Sequence, residues 1–171
     1  RFTVPLFVRG QHHRHRTWSY NEISRRYTDK DLRFYAPQEF RTQHKSNRQA
    51  SNENDTINPQ INVYSPSCAQ PIPRLATELI AKHHKDSLIL FDNLIEAGVC
   101  REQARGVLPQ NLYTEYFGTV NLHNLLKFIS LRSHQGAQWE IQQVAKACLK
   151  IAKKFYPYSV ESYLKKHKLE N

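Results

Sequence analysis

The sequence predicts an α+β fold, a helix-rich single domain with a small mixed or antiparallel sheet. Apolar residues recur every three or four positions in several long segments of the second half, which indicates amphipathic helices. Short aromatic and β-branched runs, FTV near the start and LYTEYFGTV further on, indicate strands. The length of 171 residues suits one domain with a hydrophobic core.

The first helix is predicted directly after the FTV strand, because Pro5 is acceptable at a helix start. It carries Leu6 to Arg16, and on it Gln11, Arg14 and His15 should share a face. The aromatics of RFYA indicate a short extended run. Residues 41–70 are rich in Asn, Gln and Ser without either period, so a polar loop or insertion is expected there.

Five further helices are predicted after residue 70, and three of them precede residue 133. The first runs from Pro73 to a cap at Gly98, and its apolar face consists of Ile80, His84, Leu88, Phe91 and Ile95. A short helix then passes through Arg101 and Arg105. Asn121 should cap the next helix, which reaches about Arg132, with a stripe of Leu122, Leu125, Leu126 and Ile129.

The last long helix is predicted to stop at Pro157, with a short helix from Ser159. Its apolar face consists of Ile141, Val144, Cys148, Ala152 and Phe155. The chain starts abruptly in a strand and has no methionine, so the single domain of residues 1–171 is expected to lack its N-terminal segment.

The charge balance favours an anionic partner, because 25 Lys and Arg outnumber 15 Asp and Glu, a net charge of +10. Three cysteines without CxxC spacing favour a reducing, cytoplasmic setting over a disulfide framework. No apolar run approaches the roughly 20 residues of a membrane span, so no membrane partner is expected.

The densest basic cluster runs from Arg9 to Arg26 and includes HHRHR. Adjacent residues point in different directions, so we expect no metal site there. A solvated basic face is the plainest interpretation. However, hydroxyls, an amide and a carboxylate follow within a few residues, and this mixture suits a phosphate together with a polar base.

Two other function classes are less well supported. A nucleic-acid-binding module could use the arginines with Trp18, Tyr20, Tyr27 and Tyr35 as stacking platforms, but no known motif is present and Glu22 would repel backbone phosphate, so we expect no nucleic acid. A dinucleotide-binding Rossmann fold is disfavoured, because none of the five glycines forms GxGxxG.

The segment RHRTWSYNEISRRY, residues 14–27, resembles the signature of flavin-dependent thymidylate synthases. In that signature RHR is followed by seven residues and then Ser, here Arg14, His15, Arg16 and Ser24. Gln11 upstream and the later run AGVCREQARGVLPQNLYTEYFGTVNLHNLLKFISLRSHQGAQWEIQ extend the resemblance over almost all of the chain, and it implies the fold of that family.

The resemblance implies methylation of dUMP to dTMP, with the one-carbon unit from 5,10-methylenetetrahydrofolate and reduction by NADPH through FAD. It also implies a homotetramer with sites shared between subunits. A basic nucleic-acid-binding module and a catalytically inactive relative remain as alternatives.

The positions that match the family's dUMP ligands are Gln11, Arg14, Glu22, Ser24, Arg25, Arg26, Arg105 and Arg132. Those that match its FAD ligands are Arg14, His15, Arg16, Glu22, Asn121, His123 and Lys127. Arg132 matches the arginine that assists ionisation at N3 of uracil, so it is the expected catalytic residue, since a fixed cation stabilises a developing anion. Ser24 has no evident His–Asp relay and is expected to bind and orient the nucleotide.

Overall fold

The structure is a computed structural model that describes residues 1–24, 32–47, 50–64 and 70–167. Within these residues the elements follow in the order β1 (Phe2–Pro5), α1 (Leu6–His12), β2 (Ser19–Glu22), β3 (Phe40–Gln43), β4 (Ser51–Ile57), β5 (Gln60–Val63), β6 (Ile72–Leu75), α2 (Ala76–Glu96), α3 (Arg101–Ala104), a 3-10 turn (Arg105–Val107), β7 (Tyr113–Thr119), α4 (Leu122–Arg132), α5 (Trp139–Phe155) and α6 (Pro157–His167).

Three antiparallel strands form the central sheet, in the order β1-β7-β2. Tyr116 in the middle strand pairs with Phe2 on one side and Glu22 on the other. Successive side chains of a strand face opposite sides of a sheet, and Thr114 and Tyr116 are accordingly buried whereas Phe117 is exposed. The predicted α+β class, with a small antiparallel sheet, is confirmed.

Helices α4, α5 and α6 pack on one another and supply much of the hydrophobic core. Their buried apolar side chains are Leu126, Phe128, Ile129, Ile141, Ala145, Ala152, Val160 and Leu164. Phe128 lies outside the predicted stripe, yet it is fully buried. Phe155 was expected to be buried and is instead 67% exposed, because α5 ends at this residue and the chain turns into α6 at Pro157.

Helix α1 ends at His12, earlier than the predicted Arg16. The Tyr20 hydroxyl donates to the carbonyl oxygens of His12, at 2.8 Å, and His15, at 3.2 Å. It thereby satisfies carbonyls that a longer helix would bond internally. The expectation that Gln11, Arg14 and His15 share one helical face is therefore wrong.

The polar segment 41–70 contains strands where a loop was expected. Strand β3 pairs with β4, and β5 pairs with β6, the strand that precedes α2. Polar side chains link β3 to β4, as Thr42 donates to Asp55 at 2.6 Å and accepts from Asn52 at 2.8 Å. Strands β3 and β4 are largely polar and leave no clear period-two signal. The loop prediction is wrong at residues 41–43, 51–57 and 60–63, which lie in strands.

The helix boundaries predicted from capping residues agree best with the structure. Gly98 has a φ of +88°, as a residue past a helix C-terminus requires. The Asn121 side chain accepts from the backbone N–H of Asn124 at 2.9 Å and caps α4. Helix α6 begins at Pro157 and not at Ser159, since proline suits the first helical position.

Candidate functional site

A buried histidine anchors the basic segment that follows α1. The His12 side chain is 0% exposed, and its Nδ1 lies 2.7 Å from the Tyr116 hydroxyl. The rings of Trp18 and Phe128 lie 4.4 Å and 4.6 Å from its own. Burial lowers the pKa of His12 to about 3, with the nearby charges of His15, His13 and Arg132 acting in the same direction. His12 is therefore a neutral core residue. It anchors the backbone just before Arg14 and Arg16, which are exposed.

Arg132 is held by two residues of the signature region. Its Nε donates to Nε2 of His15 at 3.0 Å, and its terminal nitrogen donates to the Gln11 carbonyl oxygen at 3.3 Å. Burial, followed by the charges of Arg132 and Lys127, lowers the pKa of His15. His15 is thus neutral at neutral pH, with Nε2 as the acceptor and its proton on Nδ1. These contacts bring together three predicted site residues that are far apart in the sequence.

Other cations lie around the Arg132–His15 contact. Burial and the Arg14 charge lower the pKa of Arg132, so the two guanidinium groups are electrostatically coupled. Lys127, Ser130, Arg132 and His134 line an open cavity of about 600 Å³. Positive charge concentrated around a concave surface attracts anionic ligands such as phosphates.

Three predicted FAD ligands lie at the start of α4 or on its exposed face. His123 and Lys127 are both exposed and one turn apart on this helix. The side-chain oxygen of Asn121 already caps α4. Its side-chain NH₂ group is left to donate.

A second cavity, of about 470 Å³, contains three other predicted ligands, Glu22, Ser24 and Arg105. Glu22 accepts from the Thr114 hydroxyl at 2.7 Å and pairs with Arg9 at 3.1 Å. The lining thus offers cationic, anionic and hydroxyl groups, a mixture suited to a polar ligand that carries a phosphate.

The predicted residues that the structure describes do not all line one cavity. Among the described residues, no side chain lines both the Arg132 cavity and the Glu22 cavity. Arg25 and Arg26 lie outside the described residues. One chain therefore presents two half-sites, each with part of the predicted ligand set.

Several residues that contribute to these sites were not predicted as ligands. Arg9 and Thr114 contact Glu22, and Gln138 accepts a hydrogen bond from the Gln11 side chain. Arg9 could have been proposed from its place in the basic cluster. Gln138 could not, because nothing local to its sequence indicates a contact across 127 residues.

No cysteine among the described residues lines either of the two cavities above. Burial raises the pKa of the Cys148 thiol to about 11, so this cysteine is a poor nucleophile at neutral pH. Cys100 is a free, exposed thiol, and Cys68 lies outside the described residues. In the part of the chain that the structure describes, no three His, Cys, Asp or Glu side chains could hold a metal ion, and no helix is both long and apolar enough to cross a membrane.

Comparisons with known proteins agree with one another. Residues 1–158 match the family model described as thymidylate synthase complementing protein. The chain is 40% identical over 167 residues to a flavin-dependent thymidylate synthase of Thermus thermophilus, covering 98% of this chain and 56% of that protein. It is 38% identical over 162 residues to the enzyme of that name from Thermosipho melanesiensis, covering 95% and 65% of the two chains.

Solved structures show the same fold. The crystal structure of the UMP/dUMP methylase PolB from Streptomyces cacaoi bound with 5-Br dUMP matches with a TM-score of 0.72 and 26% identity, covering 94% of this chain and 67% of that one. The same methylase bound with 5-Br UMP matches with a TM-score of 0.76 and 24% identity, covering 99% and 73%. The chain thus spans roughly half to three quarters of the proteins it resembles.

Proposed function

The chain belongs to the thymidylate synthase complementing protein family, and from this premise we propose that it methylates dUMP to dTMP. The one-carbon unit comes from 5,10-methylenetetrahydrofolate and the reducing equivalents come from NADPH through FAD. The resemblance inferred from the RHR signature is confirmed by the family match over residues 1–158. The basic nucleic-acid-binding alternative is not favoured by these relatives.

The contact between Arg132 and His15 carries the proposal. An arginine has five N–H donors; His15 and the Gln11 backbone carbonyl oxygen take two of them, which leaves the others available to a ligand. Because His15 is neutral, it orients the guanidinium without cancelling its charge. A fixed cation of this kind stabilises the negative charge that develops on a uracil ring when N3 loses its proton. We therefore assign Arg132 the catalytic role.

The nucleotide phosphate is a dianion, and guanidinium groups bind such oxygens bidentately. We assign this role to Arg14, Arg26 and Arg105, with the backbone amide of Arg25 as a further donor, together with Glu22 and Ser24 for the polar sugar and base. The half-sites share no lining side chain among the described residues. We propose that they combine between copies of the chain, in a homotetramer.

The residues that match the family's FAD ligands fit FAD, whose pyrophosphate is anionic. Arg14, Arg16, His123 and Lys127 would supply donors to the pyrophosphate and ribose, and the Nδ1–H of His15 is a further donor. Asn121 would donate through its amide nitrogen, while Glu22 would accept from a hydroxyl. Bound FAD would supply the reduction that turns the transferred carbon into a methyl group. The protein binds and orients the reactants and holds the charge on Arg132.

Two free thiols among the described residues, Cys100 and Cys148, fit a reducing compartment, so we propose that the enzyme acts in the cytoplasm.

The test is an assay of dTMP formation with the protein, FAD, NADPH, 5,10-methylenetetrahydrofolate and dUMP. The wild-type protein should form dTMP and oxidise NADPH faster when dUMP is added. Arg132→Ala should abolish dTMP formation, whereas Arg74→Ala, which removes an exposed arginine on β6, should not. Wild-type protein that binds FAD and dUMP but forms no dTMP would indicate an inactive relative.

A further inference from the structure

Gln138 occupies the N-cap position of α5 but does not cap the helix. Ser, Thr, Asp and Asn are the residues preferred there, because their short side chains reach the free N–H groups of the first turn. The Gln138 side chain instead accepts a hydrogen bond from Nε2 of Gln11. Gln138 thus contacts Gln11, a residue proposed to bind the nucleotide, and does not cap its own helix. This contact suggests a role for Gln138 in the site.

Two residues after Gln138, a carboxylate is held in place. Glu140 is paired with Arg41, accepts from the Tyr35 hydroxyl at 3.2 Å, and its side chain is only 10% exposed. Burial would raise the pKa of Glu140, but hydrogen bonds from Arg41 and from the Gln138 side chain lower it. Glu140 is therefore ionised, and an ionised carboxylate can only accept hydrogen bonds.

Arg41 is itself fixed from three sides. Beyond its pair with Glu140, its Nε donates to the Ser51 hydroxyl at 2.9 Å, and its guanidinium lies 4.7 Å from the centre of the Trp139 ring. The second oxygen of Glu140, Oε2, is buried and has no hydrogen-bond partner among the described residues. A neighbouring donor is strongly favoured at such an oxygen.

These contacts determine the orientation of two amide groups in sequence. The Gln138 side chain turns its amide oxygen toward Gln11, because Nε2 of Gln11 donates to Oε1 of Gln138. Because Gln138 then presents an acceptor, Gln11 must turn its own NH₂ group inward. The side-chain amide oxygen of Gln11, as distinct from the backbone carbonyl oxygen that accepts from Arg132, is left without a donor among the described residues and is available to a ligand.

We propose that Gln138 is a positioning residue, which orients the Gln11 amide so that Gln11 presents a hydrogen-bond acceptor to the nucleotide. This inference rests on the proposed function, in which Gln11 binds dUMP. The group recognised is an N–H or O–H donor of the nucleotide, either N3–H of uracil or the 3′-hydroxyl of the sugar. A correctly oriented Gln11 favours nucleotides with that donor over those without it, since an unmatched buried polar group is costly.

Two opposite substitutions test the orientation. Gln138→Asn keeps an uncharged amide, whose oxygen can still accept from Gln11, and should leave the orientation of Gln11 unchanged. Gln138→Lys offers only donors, so Gln11 should rotate and present its NH₂ group to the nucleotide. Gln135→Lys, on the exposed turn before α5, is the matched control for added charge. Gln138→Leu, which offers neither group, is the second variant if the lysine variant fails to fold, and it should lower discrimination to a smaller extent.

The measurement is the dissociation constant, by calorimetry, of dUMP, of dCMP, which lacks N3–H, and of 2′,3′-dideoxyuridine monophosphate, which lacks the 3′-hydroxyl. All three carry the same phosphate, so the ratio between two of them cancels the general effect of charge. In Gln138→Lys the preference for dUMP over one analogue should fall roughly 10-fold, and that analogue identifies the donor. Gln138→Asn and Gln135→Lys should keep the wild-type ratios.

Unchanged ratios for both analogues in folded Gln138→Lys that still binds dUMP would overturn the inference and leave the proposed function intact. Wild-type protein that binds no dUMP would overturn the proposed function and this inference with it. A general loss of stability would weaken the binding of all three nucleotides alike. A merely structural role for Gln138 would therefore leave the ratios of dissociation constants unchanged.

Discussion

Arg132 and His15 are separated by 117 residues in the chain, and Nε of the arginine donates to Nε2 of the histidine at 3.0 Å. The contact joins the end of α4 to the segment that follows α1. Since burial and two neighbouring cations lower the pKa of His15, the histidine serves as a neutral acceptor. The direction of the guanidinium therefore depends on an imidazole that is not itself charged.

Replacing His15 by alanine should lower kcat for dTMP formation roughly 10- to 100-fold, because a displaced catalytic group loses much of its effect. His15→Gln, which can still offer an acceptor to Arg132, should recover part of this loss. Steady-state kinetics with saturating FAD would measure both. Equal losses in the two variants would show that the acceptor is not what His15 contributes.

His12 should make stability depend on pH. Its pKa is about 3 in the folded protein and about 6.5 in the unfolded chain, so below pH 6.5 only the unfolded chain takes up this proton. The contribution of neutral His12 to the free energy of unfolding is complete above pH 6.5. It is lost as the pH falls, by about 2 kcal/mol between pH 7 and pH 5. Urea unfolding at several pH values measures it.

The matched variant for this effect is His12→Phe combined with Tyr116→Phe, so that no buried hydroxyl is left without its partner. The slope of unfolding free energy against pH should flatten in this variant, and His83→Gln, an exposed histidine on α2, should keep it. If the double variant loses stability between pH 7 and pH 5 as steeply as the wild type, another group causes the dependence.

The sequence predicted helix α4 but not the polar hairpin formed by β3 and β4. The start of α4 was predicted because Asn121 is a favourable cap and the apolar stripe begins directly after it. The β3–β4 hairpin was not, because its cross-strand contacts are between polar side chains, as from Thr42 to Asp55. Capping and burial leave local signals, whereas polar pairing between strands does not.

The site residues show a similar division. The signature identified Gln11, His15 and Arg132 through resemblance, and the structure joins them. Their arrangement was not predictable, since sequence spacing gives no information on which side chains meet across the fold. His12 is the clearest case, because a histidine in the run HHRHR was assigned to a basic face and is instead fully buried.

Gly118 on β7 should tolerate no side chain. A Cβ atom there would lie 3.0 Å from the Trp18 ring and 3.1 Å from the Phe2 ring. Gly118→Ala should therefore lower the unfolding free energy by about 1 to 3 kcal/mol, as overpacking of a core does. Gly10→Ala is the control, since nothing lies within 4 Å of its Cβ position in α1, and it should be neutral or slightly stabilising. Thermal denaturation that ranks the two variants equally would contradict this account.

Arg41 should hold the polar hairpin against the start of α5. Arg41→Ala leaves the buried Glu140 carboxylate without its cation, which should cost on the order of 3 kcal/mol of unfolding free energy. Hydrogen exchange in β3 and β4 should accelerate, because the pair links Phe40–Gln43 to the helix that begins at Trp139.

The control for this ion pair is Lys82→Ala, which removes one partner of an exposed pair with Asp86 and should change stability little. Arg41→Ala combined with Glu140→Gln should recover part of the loss, since no buried charge then remains unpaired. A single and a double variant of equal stability would show that the cost lies in the lost packing of Arg41 on Trp139 and not in the orphaned carboxylate.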